Sequence, residues 1–314
     1  MILNRCLVCY EQNDVGNYHS KCSRELFGTP TPPLLEISQV EIEEMAREVL
    51  NRRITIPGVQ RKLSLNIEKQ INEPSRLTIV GALGGSHILK PPTEEYPEMP
   101  ELENLTMHLA KFNGISTAAH GLILMKDQSL AYITKRFDRY GTQKKLAVED
   151  LCQLSELPVE NKYKSTSEKA GKVIRKYSSN PGDDLLKFFE ILLFSFLVGN
   201  SDMHLKNFSL ITSQDDNVGM SPAYDLLATQ LLLTDHEELA LSLGGKKTNI
   251  KSETFFELGK NLKIPEKVIK NAISMHGQSK DRLKLEIEKS ILSETKKAEF
   301  IKLIHERSAR LLQF

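Results

Sequence analysis

The chain has 314 residues, 40% of them hydrophobic, and a formal net charge of +1 at pH 7; that length suits one two-lobed enzyme or two modest domains with a real core. The near-neutral charge speaks against a broad electrostatic footprint for nucleic acid or an anionic membrane surface. The longest largely apolar run, Ile191 to Val198, is too short to span a bilayer, and the start, Met1 to Cys6, lacks a basic stretch followed by an apolar one, so a cytoplasmic protein is expected.

Three of the four cysteines fall in the first 22 residues, which is no disulfide framework for a chain this size. Cys6, Cys9, His19 and Cys22 read C-x2-C followed by H-x2-C. A structural zinc knuckle uses such a set, and reduced thiols in a compact segment fit the same spacing. Cys152 follows a helix-like pattern and is expected as a core thiol. The run Thr-Pro-Thr-Pro-Pro at 29–33 is a stiff, extended linker. Ser38 with Glu41 then forms a capping box, and Ile37, Val40, Met45, Val49 and Leu50 are spaced as the apolar stripe of a helix.

Leu63, Leu65 and Ile67 alternate with polar neighbours, which predicts a half-buried strand. Further strands are expected at 77–80 and 87–90, a helix at 101–112, and strands again at 121–124 and 130–134. Beyond Asp138 the pattern changes. Residues 183–198 become apolar on nearly every side, as in a central buried helix, and helices dominate after Leu226, with amphipathic candidates at 253–262 and 281–292. The expected divisions are an N-terminal segment 1–28, a β-rich lobe 29–138 and a helical lobe 139–314. The fold class is α+β, with the two-lobed outline of a protein kinase.

Directly after the buried helix comes Gly199-Asn200-Ser201-Asp202-Met203-His204-Leu205-Lys206-Asn207. Polar groups leaving a core element need partners, and a ligand site supplies them. Asp202 and Asn207 have the D-x4-N spacing of a kinase catalytic loop, with the Asp as base for the acceptor hydroxyl and the Asn as a Mg²⁺ ligand; a helix-capping Asp in a plain loop is the other reading. Asp225 follows a strand-like stretch and a turn, where a second carboxylate for magnesium would stand. Lys90 ends the 87–90 strand, as a phosphate-neutralising lysine would, and Glu103 in the next helix is placed to pair with it; a solvated strand-end lysine has the same local sequence. Thr55 to Lys62 stands where a phosphate-covering loop would lie, but its single glycine, Gly58, leaves a simple turn equally open.

The segments PGVQRKLSL, HILKPP, ITKRFDR, EDLCQ, GNSDMHLKNFSL and PAYDLLAT, in this order from about Thr55 to Thr229, resemble the HipA-type serine/threonine kinase toxins. The chain looks closest to the short HipT-like branch. The resemblance implies ATP- and Mg²⁺-dependent phosphorylation of a host protein such as an aminoacyl-tRNA synthetase. It further implies a HipB-like helix-turn-helix antitoxin and a HipS-like small subunit as partners; from the near-neutral charge, no direct nucleic-acid or membrane binding is expected. Position by position it implies Asp202 as catalytic residue, Asn207 and Asp225 as metal ligands, and Lys90 on the phosphates. Lys135 to Phe137 would contact adenine, His204 and Lys206 would neighbour the phosphates, and Tyr224 would wall the nucleotide site. Thr55, Gly58 and Gln60 match the nucleotide loop. That loop departs from the branch, which carries serines before the glycine: here the sequence is Thr55-Ile56-Pro57, so Thr55 is the autophosphorylation candidate. A small-molecule phosphotransferase would use the same Asp202, Asn207 and Asp225 but lacks the Thr55–Lys62 type of loop. A non-catalytic pseudokinase adaptor is opposed by intact Lys90, Asp202, Asn207 and Asp225.

Overall fold

A computed structural model describes residues 4–50, 61–69, 73–80, 84–141, 144–233 and 237–313, the side chains of 46–50 excepted. Thr55, Gly58 and Gln60 lie outside the described residues. The chain forms two units: Met1–Leu105 with Ala118–Arg136, and Thr106–Thr117 with Phe137–Phe314.

The first unit holds helices α1 (Ser20–Phe27) and α2 (Gln39–Leu50), then strands β1 (Leu63–Glu68), β2 (Arg76–Val80) and β3 (His87–Lys90). Helix α3 (Met99–Phe112) starts in this unit and ends in the second, and β4 (His120–Leu124) and β5 (Leu130–Lys135) complete the sheet. Strand order is β2-β1-β3-β5-β4, antiparallel throughout. Leu65, from the strand whose alternation was expected, joins Leu77, Leu89 and Ile133 of the neighbouring strands in one core, shared with Leu26, Phe27, Leu35 and Ile42.

Helix α2 starts where the capping box predicts. The Ser38 backbone N–H donates to Glu41 Oε2 at 2.7 Å, and the Glu41 N–H donates to Ser38 Oγ at 3.3 Å. Its buried face differs from the expected stripe. Val40 is 62% and Met45 44% exposed, whereas Ile42 is 2% exposed and joins the core. A capping box sets where a helix begins, and the neighbouring sheet decides which way it turns.

The second unit contains a short pair, β6 (Arg139–Tyr140) with β7 (Lys144–Lys145), then β8 (Val148–Asp150) and helices α4 (Leu151–Leu154), α5 (Ser167–Tyr177) and α6 (Pro181–Val198). Strands β9 (Ser209–Thr212) and β10 (Val218–Met220) pair with β8 in the order β10-β9-β8. Helices α7 (Ser252–Asn261), α8 (Glu266–Gly277), α9 (Lys280–Lys289) and α10 (Glu294–Leu311) finish the chain.

Helix α6 is the axis of this unit. Pro181 in its first turn needs no N–H partner, and Asp183 and Asp184 complement the positive end of its dipole. Phe188, Phe189, Leu192, Leu193, Phe194 and Phe196 are each at most 1% exposed, and α5, α8 and α10 pack around them. Burying each such side chain contributes roughly 1.5–3 kcal/mol. Among the described residues no helix is long and apolar enough to cross a membrane.

Candidate active site

Helix α6 stops at Gly199, whose φ of 69° is left-handed and whose carbonyl accepts the Gln230 N–H at 3.0 Å. The chain beyond it is held by local bonds. The Ser201 N–H donates to Thr229 Oγ1 at 2.8 Å, and the Asp202 N–H to Asn200 Oδ1 at 3.1 Å. Asn207 Nδ2 donates to the Asp202 carbonyl at 2.9 Å. That bond commits the amide nitrogen and leaves Oδ1 as the oxygen Asn207 presents, the atom a hard cation takes.

Asp202 is half-buried, and one carboxylate oxygen, Oδ1, accepts the Tyr163 hydroxyl. The Tyr163 ring stands edge-on to His204, with centroids 4.9 Å apart. Burial lowers the His204 pKa, against the opposing pull of the Asp202 and Asp225 carboxylates. The neutral imidazole is therefore favoured, and its Nδ1 is buried without a hydrogen-bond partner among the described residues. Asp225 sits at φ 60°, a conformation that Asp tolerates better than most residues and that recurs at functional sites.

Tyr224 donates its hydroxyl to the Lys206 carbonyl at 2.8 Å and takes one from Ser209 Oγ at 2.6 Å. Burial pushes its pKa above the ordinary tyrosine value. The Phe137 ring lies 5.5 Å from that of Tyr224. Lys206 forms a 2.7 Å ion pair with Asp150 Oδ2, while Asp150 Oδ1 caps α4 by accepting the Gln153 N–H at 2.9 Å. The second unit thus assembles Asp202, His204 and Asn207 around one loop, with Asp225, Tyr224 and Phe137 beside it. Tyr163 and Asp150 support this loop: Tyr163 is a single polar residue outside any motif, and Asp150 stands in the EDLCQ segment without having been singled out. Cys152, two residues after Asp150, is buried as expected.

In the first unit Lys90 and Glu103 are 4% and 1% exposed and form an ion pair. The ammonium also lies 5.4 Å from the Tyr132 ring centroid. Lys90 is therefore no solvated strand-end lysine: removing either partner of such a pair strands a buried charge and costs about 3–5 kcal/mol. The backbone N–H groups of Lys135 and Arg136 donate to the Ala119 and Ser86 carbonyls at 2.8 and 2.9 Å, so both are engaged within the sheet. At the N-terminal end of this unit the ligand atoms of Cys6, Cys9, His19 and Cys22 all lie within 4.8 Å of one another.

Comparison with solved structures gives the class. The fold matches Shewanella oneidensis HipA, solved with HipB and operator DNA, with a TM-score of 0.71 and 22% identity, over 91% of this chain and 75% of that one. It matches the Helicobacter pylori proinflammatory kinase CtkA with a TM-score of 0.55 and 12% identity, over 79% of this chain and 93% of that one. The fold is therefore α+β and protein-kinase-like, with a β-rich first unit and a helical second one. Residues 54–282 match the HipA-like C-terminal domain, and the chain belongs to that family.

Among curated relatives, Y4dM of Sinorhizobium fredii, which carries the name of a kinase, is 31% identical over 77% of this chain and 60% of its own. Y4mE of the same organism, similarly named, is 31% identical over 62% of this chain and 47% of its own. The serine/threonine-protein kinase toxin HipA of Shewanella oneidensis is 29% identical over 61% of this chain and 47% of its own. The chain thus spans about half to three fifths of the length of these relatives.

Proposed function

We propose that this chain is an ATP- and Mg²⁺-dependent serine/threonine protein kinase of the HipT-like branch, acting as the cytoplasmic toxin of a toxin–antitoxin system. The observation that carries the reading is the pairing of Asp202 with Asn207: one half-buried carboxylate is oriented by Tyr163, and the adjacent amide is turned so that its oxygen is presented. Asp202 accepts the proton of the substrate hydroxyl as its oxygen attacks the γ-phosphorus and ADP departs. The donor set fits magnesium, with Asn207 Oδ1 and the Asp225 carboxylate as its protein ligands. A magnesium ion held by those two residues would supply charge neutralisation to the phosphates. Lys90, oriented by Glu103, serves the α- and β-phosphates, and Tyr224 with Phe137 offers aromatic surface to the base.

The proposed partners are a HipB-like antitoxin and a HipS-like small subunit, and the proposed substrate class is a host protein such as an aminoacyl-tRNA synthetase. Thr55 is the proposed autophosphorylation site. A phosphate there would add about −1.5 to −2 charges and disfavour ATP by repulsion.

Labelled-phosphate transfer to a cell lysate, with peptide mapping of the enzyme itself, tests the reading. Wild type should label a discrete protein band and its own Thr55. Asp202→Ala should label neither while still binding ATP, whereas Asn207→Ala and Asp225→Ala should weaken Mg²⁺-dependent nucleotide binding about tenfold or more. Full transfer by Asp202→Ala would overturn the proposal. Labelling of small molecules alone would assign a small-molecule phosphotransferase instead.

A further inference from the structure

The four N-terminal Cys and His side chains play no part in the proposed phosphate transfer, yet they converge. Cys6 ends a short bridge, with its N–H donated to the Glu11 carbonyl at 2.9 Å, and the turn through Cys9 is closed by the Tyr10 N–H donating to the Cys6 carbonyl at 2.9 Å. Tyr10 takes the left-handed conformation, φ 60°, that reverses the chain. His19 immediately precedes α1, and Cys22 lies in its first turn. Two backbone devices, a knuckle-like turn and a helix start, thus aim three sulfurs and one imidazole at a common point.

The imidazole carries a second, independent sign. His19 Nε2 donates its proton to the Gln12 carbonyl at 3.0 Å, which fixes the tautomer and leaves the Nδ1 lone pair facing Cys9 Sγ, 3.4 Å away. A backbone carbonyl on the outer nitrogen is the usual partner of a metal-ligating histidine. Around tetrahedral zinc with Zn–S of ~2.3 Å, ligand atoms stand about 3.8 Å apart. A set confined within 4.8 Å needs only a small contraction to reach that arrangement.

We propose that Cys6, Cys9, His19 and Cys22 bind one Zn²⁺ in a closed structural site whose purpose is to brace helix α3. The site sits on the segment that joins the edge strand β4. The Leu7 carbonyl accepts the Leu122 N–H at 2.9 Å, and Tyr18 donates its hydroxyl to the Leu122 carbonyl at 2.6 Å. Tyr10, next to Cys9, accepts Asn104 Nδ2 on its hydroxyl at 2.6 Å, and Asn104 Oδ1 accepts His120 Nδ1 at 2.8 Å. Asn104 adjoins Glu103, so the turn that the metal closes holds the helix one residue from the Lys90 partner. Four ligands fill a tetrahedron, which leaves no open position for catalysis.

The metal half of this inference is independent of the kinase reading. The full chain, purified without chelator, should carry about one zinc per chain, and X-ray absorption at the zinc edge should show three sulfurs and one nitrogen. Cobalt added to the stripped wild-type chain should give tetrahedral d–d bands and thiolate charge transfer. Cys22→Ser should lower zinc content at least about fivefold; if that variant does not fold, the wild-type stoichiometry and absorption spectra still decide. Hydrogen exchange of the α3 amides around Asn104 should quicken about tenfold or more when zinc is stripped by a chelator. A metal-free chain that gives no tetrahedral cobalt spectrum would overturn the site. Full zinc occupancy with unchanged α3 exchange on stripping would overturn the bracing role.

Discussion

Tyr163 reaches Asp202 across 39 residues of sequence, and its one hydroxyl holds the carboxylate oxygen of the proposed base. Tyr163→Phe keeps the ring against His204 and removes the hydroxyl that bonds Asp202. A hydrogen bond to a charged group is worth about 1.5–3 kcal/mol, so kcat should fall about tenfold or more with nucleotide affinity unchanged. Steady-state kinetics with separate nucleotide titration check this, and an unaltered kcat would remove Tyr163 from the positioning of Asp202. The contrast with Asn207 explains what could be read in advance. Asp202 and Asn207 are neighbours in one loop, so their spacing in sequence is their geometry. Tyr163 lies in a polar connection with no period and no motif, and a contact across that separation leaves no local trace. The strained conformation of Asp225 was equally hidden, because no glycine stands there to announce a positive φ.

Among the elements, the junction of α6 with the Asp202 loop rests on Gly199. A Cβ there would stand 2.6 Å from Leu303 Cδ2 and 3.1 Å from Gln230 Oε1, in a conformation that already disfavours side chains. Gly199→Ala should destabilise the protein by about 1–3 kcal/mol, seen as a lower urea midpoint, and should reduce phosphate transfer with it. An unchanged midpoint would show that Leu303 and Gln230 yield freely. Strand β1 was legible because alternation is a local property: Leu63, Leu65 and Ile67 betray it whatever lies next to it, while β2 to β5 showed as short apolar runs between turn-like breaks. Helix α6 was legible for the opposite reason, since apolar residues all round leave only burial. Helix α2 shows the limit. Its start was fixed by Ser38 and Glu41 alone, but its orientation depended on β strands far along the chain, and Ile42 rather than Val40 or Met45 turned inward.

At the scale of the molecule, each unit carries a buried neutral histidine. His87 in the first unit donates Nε2–H to the Leu26 carbonyl at 2.8 Å, and His276 in the second accepts Asn113 Nδ2 on Nδ1 at 2.9 Å. Burial lowers both pKa values to about 4. In the unfolded chain they sit near 6.5, so between pH 6.5 and 4 the unfolded chain binds more protons. Stability is complete above pH 6.5 and declines as pH falls to about 4, by up to roughly 3 kcal/mol for each histidine. Urea midpoints at pH 7 and 4.5 should differ accordingly, and His87→Gln should flatten the dependence; a midpoint independent of pH would refute it. No pattern in the sequence set these histidines apart from the other six, because burial is a property of the finished fold. Gly199 has a consequence for lineages as well as for molecules. The demand on that position is one of shape, imposed by the exit from α6, while the demand on Asp202, under the proposed function, is one of chemistry. In a descendant that had abandoned phosphate transfer, selection would release Asp202 first and still retain the glycine. A related gene with Gly199 intact and Asp202 replaced would therefore record a protein that had changed its occupation and kept its architecture.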